Sequence, residues 1–178
     1  HPLHNCETIE VRYMTAKDED ILTSPALVRK GLAIDRMVQN IIVDRRIKAE
    51  TLLVGDKNAI VVAARASGYG SDYTTNVKCP RCGTSNQFSF DLGDAKIIPG
   101  GVTELVEEGG DVRPTVQGTF MMILPRMKVE VELKLLTGKE EKIISKLLTS
   151  KKKEDNILTT QLKTFIVSAN GHRERRAI

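Results

Sequence analysis

The chain has 178 residues, of which 40% are hydrophobic and 28% are charged, a balance typical of a globular chain that can bury a core. Only 4% of the residues are aromatic and none is Trp, which argues against base-stacking surfaces and carbohydrate platforms. No apolar run approaches the roughly 18 residues of a membrane-spanning helix, so we expect no membrane contact. Three cysteines are too few for a disulfide framework and suit a reducing cytoplasm.

The net charge of +4 is concentrated at the C-terminal end, where residues 126–178 hold 13 basic and seven acidic side chains. The most basic segment runs from Gly171 to Arg176. Such a tail can contact nucleic acid or an acidic partner, or it can be a solvated terminus. The chain begins at His1 rather than at Met, so we expect further residues ahead of it in the natural protein.

The N-terminal part predicts a strand that leads into a helix. Glu7–Tyr13 alternates between apolar and polar residues, and Thr15 is a plausible N-cap for the helix that follows. Asp18-Glu19-Asp20 places carboxylates in the first turn of that helix. We interpret them as helix N-terminal residues and not as a metal site, because consecutive helical positions point in different directions.

Three more helices are predicted before the first cysteine motif. Ser24-Pro25 begins one of them, with Pro at its first position. The apolar residues of the next helix fall on one face, and they are Ile34, Met37, Val38, Ile41 and Ile42. The last is capped by Asp56 or Asn58 and ends at Gly68-Tyr69-Gly70.

A Cys-Pro-Arg-Cys-Gly motif then marks the tip of a predicted β-hairpin. Extended segments flank Cys79 and Cys82, while Pro80 and Gly83 supply the tight backbone of a zinc knuckle. Two thiolates in a C-x-x-C turn can face one tetrahedral ion, so the turn is half of a structural zinc site. The sequence has no second C-x-x-C motif to complete it.

Several groups could supply the remaining zinc ligands. His4 and Cys6 lie on one side of the chain if it is extended there, and they would complete a Cys₃His set. The alternatives are His1, His172 or the same two cysteines of a second copy. The turn can also be held by N–H···S hydrogen bonds without metal. A redox role fits less well, because thioredoxin-like C-x-x-C pairs open a helix rather than join two strands.

The C-terminal part predicts a second hairpin followed by helices. Its arms are Thr119–Leu124 and Val129–Leu136, joined by a turn at Pro125–Lys128. Thr137 and Glu140 then form a capping box at the start of the next helix.

The two ends of the chain are similar in sequence. Glu7–Ile21 aligns without gaps with Val129–Ile143, since both run from an alternating strand into T-x-K-[DE]-E. Ile41–Val43 corresponds to Phe165–Val167 after a two-residue insertion. The sequence therefore predicts an α+β fold in which two strand-plus-helices units flank a zinc-knuckle-like β-hairpin. Pseudo-symmetry between the units is the hypothesis, and chance convergence on a common strand–helix junction is the alternative.

Four segments follow from this reading. The first two are an N-terminal strand and helical unit at residues 1–67 and a knuckle hairpin at residues 68–96. A loop or linker at residues 97–116 follows, and then a C-terminal hairpin and helical unit with a basic tail at residues 117–178.

The sequence lacks the common catalytic motifs. It has no phosphate loop, no dinucleotide fingerprint and no G-x-S-x-G elbow, and its three histidines lie near the chain ends. We therefore predict that the protein is not an enzyme. One alternative function is a zinc-ribbon-like nucleic-acid-binding module that uses the cysteine tip and the basic tail. The scarcity of aromatic residues and the lack of a basic stripe near the cysteines argue against it.

Four blocks of sequence, taken in order and spacing, resemble a known family. They are Met14–Leu22, Leu53–Ile60, Gly68–Tyr73 and Cys79–Gly83. Together they are similar to the baseplate hub protein family of T-even-like contractile-tailed bacteriophages. Later blocks, at Leu124-Pro125 and at residues 135–141, extend the resemblance over most of the chain.

This resemblance implies a structural or assembly component of a phage tail baseplate hub that acts through protein–protein contacts. The implied partners are other hub, spike, tail-tube or tape-measure proteins, together with copies of itself in a trimer or ring. The implied location is the baseplate of the virion, after assembly in the cytoplasm of the bacterial host.

Overall fold

The computed structural model describes residues 7–95, 112–149 and 157–173. Its helices are α1 (Ala16–Thr23), α2 (Pro25–Arg29), α3 (Ala33–Ile41), α4 (Val54–Tyr69), α5 (Gly138–Thr149) and α6 (Ile157–Phe165). Its strands are β1 (Asp72–Lys78), β2 (Ser85–Asp91), β3 (Val112–Pro114), β4 (Phe120–Ile123), β5 (Glu130–Leu133) and β6 (Ile166–Ala169). The mixture of helices and strands confirms the predicted α+β class. The chain forms two compact units, an N-terminal unit (His1–Ile97) and a C-terminal unit (Ile98–Ile178).

The core of the N-terminal unit is built mainly by α3, the segment that follows it, and α4. Its buried side chains are Met37, Val38, Ile41, Ile42, Ile47, Ala49, Leu52, Ile60 and Ala64. Ile34 is not buried as the predicted apolar face implies: it is 44% exposed, and Ala33 is the buried residue at the start of α3. A helix turns by about 100° per residue, so Ile34 still points to the same side as Ile41 and Val38, and its exposure belongs to its place in the first turn of the helix rather than to a different face.

Helix α4 begins earlier than the sequence suggested. The Lys57 N–H donates to the Leu53 carbonyl at 3.0 Å, so Leu53 is the N-cap and neither Asp56 nor Asn58 caps the helix. Asp56 lies inside the first turn, where its carboxylate suits the positive end of the helix dipole, and burial raises its pKa. The helix ends as predicted at Gly70, whose φ of 85° favours glycine.

The predicted strand over Glu7–Tyr13 is reduced to one antiparallel bridge between Val11 and Ile42. The Arg12 N–H donates to the Ile41 carbonyl at 2.9 Å on one side of this bridge. The pairing stays short because its partner segment enters a turn closed by the Ile47 N–H on the Asp44 carbonyl at 3.1 Å.

The C-terminal unit contains an antiparallel four-stranded sheet in the order β3-β4-β5-β6. The predicted hairpin is confirmed as β4 and β5, with Lys128 at a φ of 54° in its turn. Strand β3 lies near the end of the predicted linker, residues 97–116, of which residues 97–111 lie outside the described part. Glu132 is buried in the sheet, where its two oxygens accept hydrogen bonds from Thr119 Oγ1 at 2.8 Å and Ser168 Oγ at 3.1 Å.

One backbone hydrogen bond of the N-terminal unit recurs at the aligned position of the C-terminal unit. Arg12 N–H donates to the carbonyl of Ile41, the last residue of α3, and Lys134 N–H donates to the carbonyl of Phe165, the last residue of α6, both at 2.9 Å. These four residues are the ones that the sequence alignment pairs. The same strand-to-helix-end contact is therefore present in both units.

The acidic residue of the aligned T-x-K-[DE]-E segment has the same role in both units. In the N-terminal unit Asp18 is fully buried and accepts two hydrogen bonds from the Arg12 guanidinium, at 2.8 and 2.9 Å. It also accepts from Thr15 N–H and Oγ1, each at 2.8 Å, and from Asn40 Nδ2 at 2.6 Å. The hydrogen bonds from Arg12, assisted by those from Thr15 and Asn40, outweigh burial and lower the pKa of Asp18.

In the C-terminal unit the corresponding acid is Glu140. It accepts from Lys134 Nζ at 2.8 Å, from Thr137 N–H at 3.0 Å and from the Thr137 hydroxyl. Lys139 N–H in turn donates to Thr137 Oγ1 at 3.3 Å, so the predicted cap by Thr137 and Glu140 is confirmed. Burial disfavours the charged form of Glu140, but the bonds from Lys134 and Thr137 prevail and lower its pKa to about 2.

Among the helices in the described ranges, none combines the length and the apolar character needed to cross a membrane.

Candidate functional site

The predicted hairpin around the two cysteines is confirmed. Strands β1 and β2 pair in register from Asp72 opposite Asp91 to Lys78 opposite Ser85. Beyond the last strand pair, Cys79 N–H donates to the Thr84 carbonyl at 2.9 Å, which continues the ladder by one step.

A tight turn closes the tip. Gly83 N–H donates to the Cys79 carbonyl at 2.8 Å, and Gly83 adopts a φ of 73° that favours glycine. Gly83, which follows Cys82 in the motif, is therefore needed for the backbone conformation of the turn.

The two thiols lie together at this tip. Cys79 and Cys82 are both free, and Cys82 is exposed while Cys79 is half-buried. The Cys82 thiol donates to Thr84 Oγ1 at 3.3 Å. When Cys82 is ionised, its sulfur accepts from donors on Thr84 and then from the Cys79 thiol, and these contacts lower the pKa of Cys82 and favour the thiolate that binds metals.

Three of the other predicted zinc ligands, His1, His4 and Cys6, fall outside the described residues. Within the described ranges, no group of three or more His, Cys, Asp or Glu side chains could hold a metal ion. The two thiols fit one half of a tetrahedral zinc site, and the zinc ion stays a prediction.

The two faces of the hairpin differ in chemistry. Residues opposite one another in an antiparallel pair share a face, and the face alternates along each strand. One face carries Tyr73, Val77, Phe88 and Phe90, which we call the apolar face; these side chains are 37%, 48%, 53% and 52% exposed. The rings of Tyr73 and Phe90 are stacked at a tilt, with centroids 5.3 Å apart.

The opposite face is polar. It carries the pairs Thr74–Ser89 and Asn76–Gln87, and the hydroxyls of the first pair are hydrogen-bonded at 2.8 Å. The polar face therefore suits solvent, whereas the apolar face exposes large side chains that other proteins bury at interfaces.

Both thiols belong to the end of the apolar face. Cys79 continues the alternation of Tyr73 and Val77, and Thr84 lies opposite it in the ladder. Cys82 is bonded to the Thr84 side chain and so lies on the same side. The cysteines are evident in the sequence, whereas this face was not predicted, although the aromatic residues Phe88 and Phe90, two apart, are its signature.

Arg65 fixes the base of the hairpin to α4. Its guanidinium donates to the Gly70 carbonyl at 2.8 Å and lies over the rings of Tyr69 and Tyr73, 5.2 and 5.9 Å from their centroids. The Tyr69 hydroxyl donates to Glu19 Oε1 at 2.7 Å, which links the same corner to α1. The hairpin thus projects from a base that is anchored in the helical part of its unit.

These features define an α+β chain that presents an amphipathic hairpin with two thiols at its tip. A family model described as T4 bacteriophage base plate protein matches residues 3–113. The match covers more than half of the chain, and the chain therefore belongs to this family of phage baseplate proteins, as the sequence resemblance predicted. No curated protein and no solved structure matches the chain.

Proposed function

We propose that the chain is a structural or assembly component of the baseplate hub of a contractile-tailed phage and acts through contacts with other proteins rather than through catalysis. The observation that carries this proposal is the family match over residues 3–113, which includes the whole described part of the N-terminal unit. The neighbours are then other hub proteins, the spike, the tail tube or the tape-measure protein. The trimer or ring implied by the resemblance stays a prediction.

The hairpin supports a role in protein contacts. Tyr and Phe side chains are enriched at protein interfaces, and Phe88 and Phe90 each expose about half of their surface here. A surface of this kind on a rigid base suits docking, because little conformational entropy is lost when it is covered. Its place of action is the tail baseplate of the virion, with assembly in the cytoplasm of the host.

We also infer that the two units are versions of one strand-plus-helices motif. The aligned hydrogen bonds of Arg12 and Lys134 and the aligned carboxylates of Asp18 and Glu140 support this inference. Chance convergence explains a single helix cap more easily than a cap, an ion pair and a strand contact at matching positions. Pseudo-symmetry in the arrangement of the units stays a prediction.

Affinity capture from phage-infected cells tests the function. The tagged full chain is purified, the captured proteins are identified and quantified by mass spectrometry, and absorbance measures nucleic acid. We expect baseplate, spike or tube proteins in fixed ratio to the chain. Capture of nucleic acid without tail proteins, with an affinity that falls steeply as salt rises, would contradict the proposal and favour the zinc-ribbon alternative.

A further inference from the structure

The hairpin tip is an incomplete metal site at the end of an uncovered apolar face. Cys79 and Cys82 supply two sulfur ligands, whereas a structural zinc ion takes four. The apolar face that leads to these thiols consists of Tyr73, Val77, Phe88 and Phe90. Arg65 of α4 covers part of Tyr73 at the base, whereas Val77, Phe88 and Phe90 each stay about half exposed. A single partner that covers this face can also bring the missing ligands.

We propose that the apolar faces of the hairpins of two copies of this chain pack against each other, and that the four Cys79 and Cys82 thiolates bind one structural zinc ion between the two tips. A second copy supplies the two missing ligands without any further residue type. A two-fold axis along the hairpin brings the tips together and places each apolar face against its equivalent, as isologous contacts require.

The charges at the tip suit this arrangement. A zinc ion with four thiolates carries a net charge of −2, which neighbouring cations stabilise. Arg81 lies between the two cysteines and is exposed, whereas Lys78, which directly precedes Cys79, belongs to the polar face. Two copies therefore bring two Arg81 residues to the paired tips that hold the anionic centre.

The inference rests on the proposed function only in treating the hairpin as an interaction surface. Its test uses the purified full chain and needs no other baseplate protein. If tail proteins are captured but zinc does not pair the chains, this inference fails and the function stands. If zinc pairs the chains but no tail protein is captured, the proposed function fails and the inference stands.

Zinc titration of the metal-free full chain is the direct test. Zinc bound per chain is measured by elemental analysis, and the molar mass is measured by light scattering during size-exclusion chromatography. We expect one zinc ion per two chains and a doubling of the molar mass found without metal. One zinc ion per chain at unchanged mass would overturn the proposal in favour of ligands from within the chain, and so would the absence of zinc binding.

Variants separate the possible ligand sets. Cys82→Ser should abolish both zinc binding and the doubling of mass. The double variant His4→Ala/Cys6→Ser should bind zinc and associate as the parent does. Cobalt as a probe should show the absorption of a tetrahedral site with sulfur ligands. Loss of zinc in the His4/Cys6 variant would overturn the proposal.

The apolar face is tested without touching the thiols. Phe88→Ser should weaken zinc-dependent association by at least about 100-fold, because two copies each lose an aromatic contact. Asn76→Ser on the polar face is the matched control and should associate normally. Circular dichroism checks that both variants fold. Association of Phe88→Ser with the affinity of the parent chain would show that this face is not the interface.

Discussion

The strand–helix junctions of the two units share a design but differ in how deeply their carboxylate lies. Asp18 in the N-terminal unit has no exposed side-chain surface, whereas the side chain of Glu140 in the C-terminal unit is 16% exposed. Arg12 holds Asp18 with two hydrogen bonds, and Lys134 holds Glu140 with one. Asp18, the shorter of the two acids, is thus the more deeply buried one, and it is held by a planar guanidinium rather than by an ammonium group.

The more deeply buried junction also links more elements of its own unit. Asn40 of α3 donates to Asp18 of α1, so the buried acid joins two helices as well as capping one. Glu19, the next residue of α1, receives the hydrogen bond from Tyr69 at the base of the cysteine hairpin. The tighter junction therefore belongs to the unit that supports the proposed interaction surface.

Removal of Asp18 should have the largest effect on stability. Asp18→Ala leaves the Thr15 N–H, Asn40 and Arg12 without their acceptor. We expect the free energy of unfolding to fall by about 3 kcal/mol. This value is at the lower end for a broken buried ion pair, because Arg12 stays partly in water. Urea denaturation measures the change. Asp20→Ala, an exposed acid on the same helix, is the control and should change stability by less than about 0.5 kcal/mol. Equal effects of the two substitutions would contradict the role assigned to Asp18.

Removal of Glu140 should cost less. Glu140→Ala removes the ion pair with Lys134 and the cap on Thr137, worth about 1 kcal/mol for a partly exposed helix start. Hydrogen exchange should show faster opening at the start of α5, with little change in α1. Thr137→Ser keeps the capping hydroxyl and serves as the control. An effect as large as that of Asp18→Ala would mean that the two junctions are equally strong.

Exchange of the two basic residues should have the smallest effect. Arg12→Lys replaces a two-pronged hydrogen bond by a single donor and should lower the free energy of unfolding by about 1 kcal/mol. Lys134→Arg should change it by less than about 0.5 kcal/mol, since the Lys134 side chain is only partly buried and makes one bond to Glu140. Thermal unfolding of both variants provides the comparison, and a larger loss for Lys134→Arg would reverse it.

Local patterns explain what the sequence could predict. Thr15, Thr137 and Glu140 act within one helical turn, so their spacing was enough to identify the helix starts. The special position of Asp18 was missed, because Arg12 and Asn40 reach it from other elements and Asp18-Glu19-Asp20 looks uniformly acidic.

At the cysteine hairpin, too, the local pattern could be read from the sequence, whereas the contacts between elements could not. Its C-x-x-C turn was readable from local residue types, as were both strands. Phe88 and Phe90 share a face because they are two apart on one strand, but the placing of Cys79 on that same face depends on the register between strands, which only the structure supplies. The zinc ligands beyond the two thiols depend on contacts more distant still.

NMR titration of the side-chain carboxylates of Asp18 and Glu140 in one sample tests whether both units use the same acid-centred junction. Glu140 should titrate with a pKa of about 2, and Asp18 should stay ionised to still lower pH because Arg12, Thr15 and Asn40 all favour its charged form. Both pKa values are lowered by folding, so the stability that the two groups contribute should be complete above about pH 4 and be lost as the pH falls below that. A carboxylate in either position that titrates near the ordinary value of about 4 would show that its junction does not hold the charged form, and would contradict the shared design.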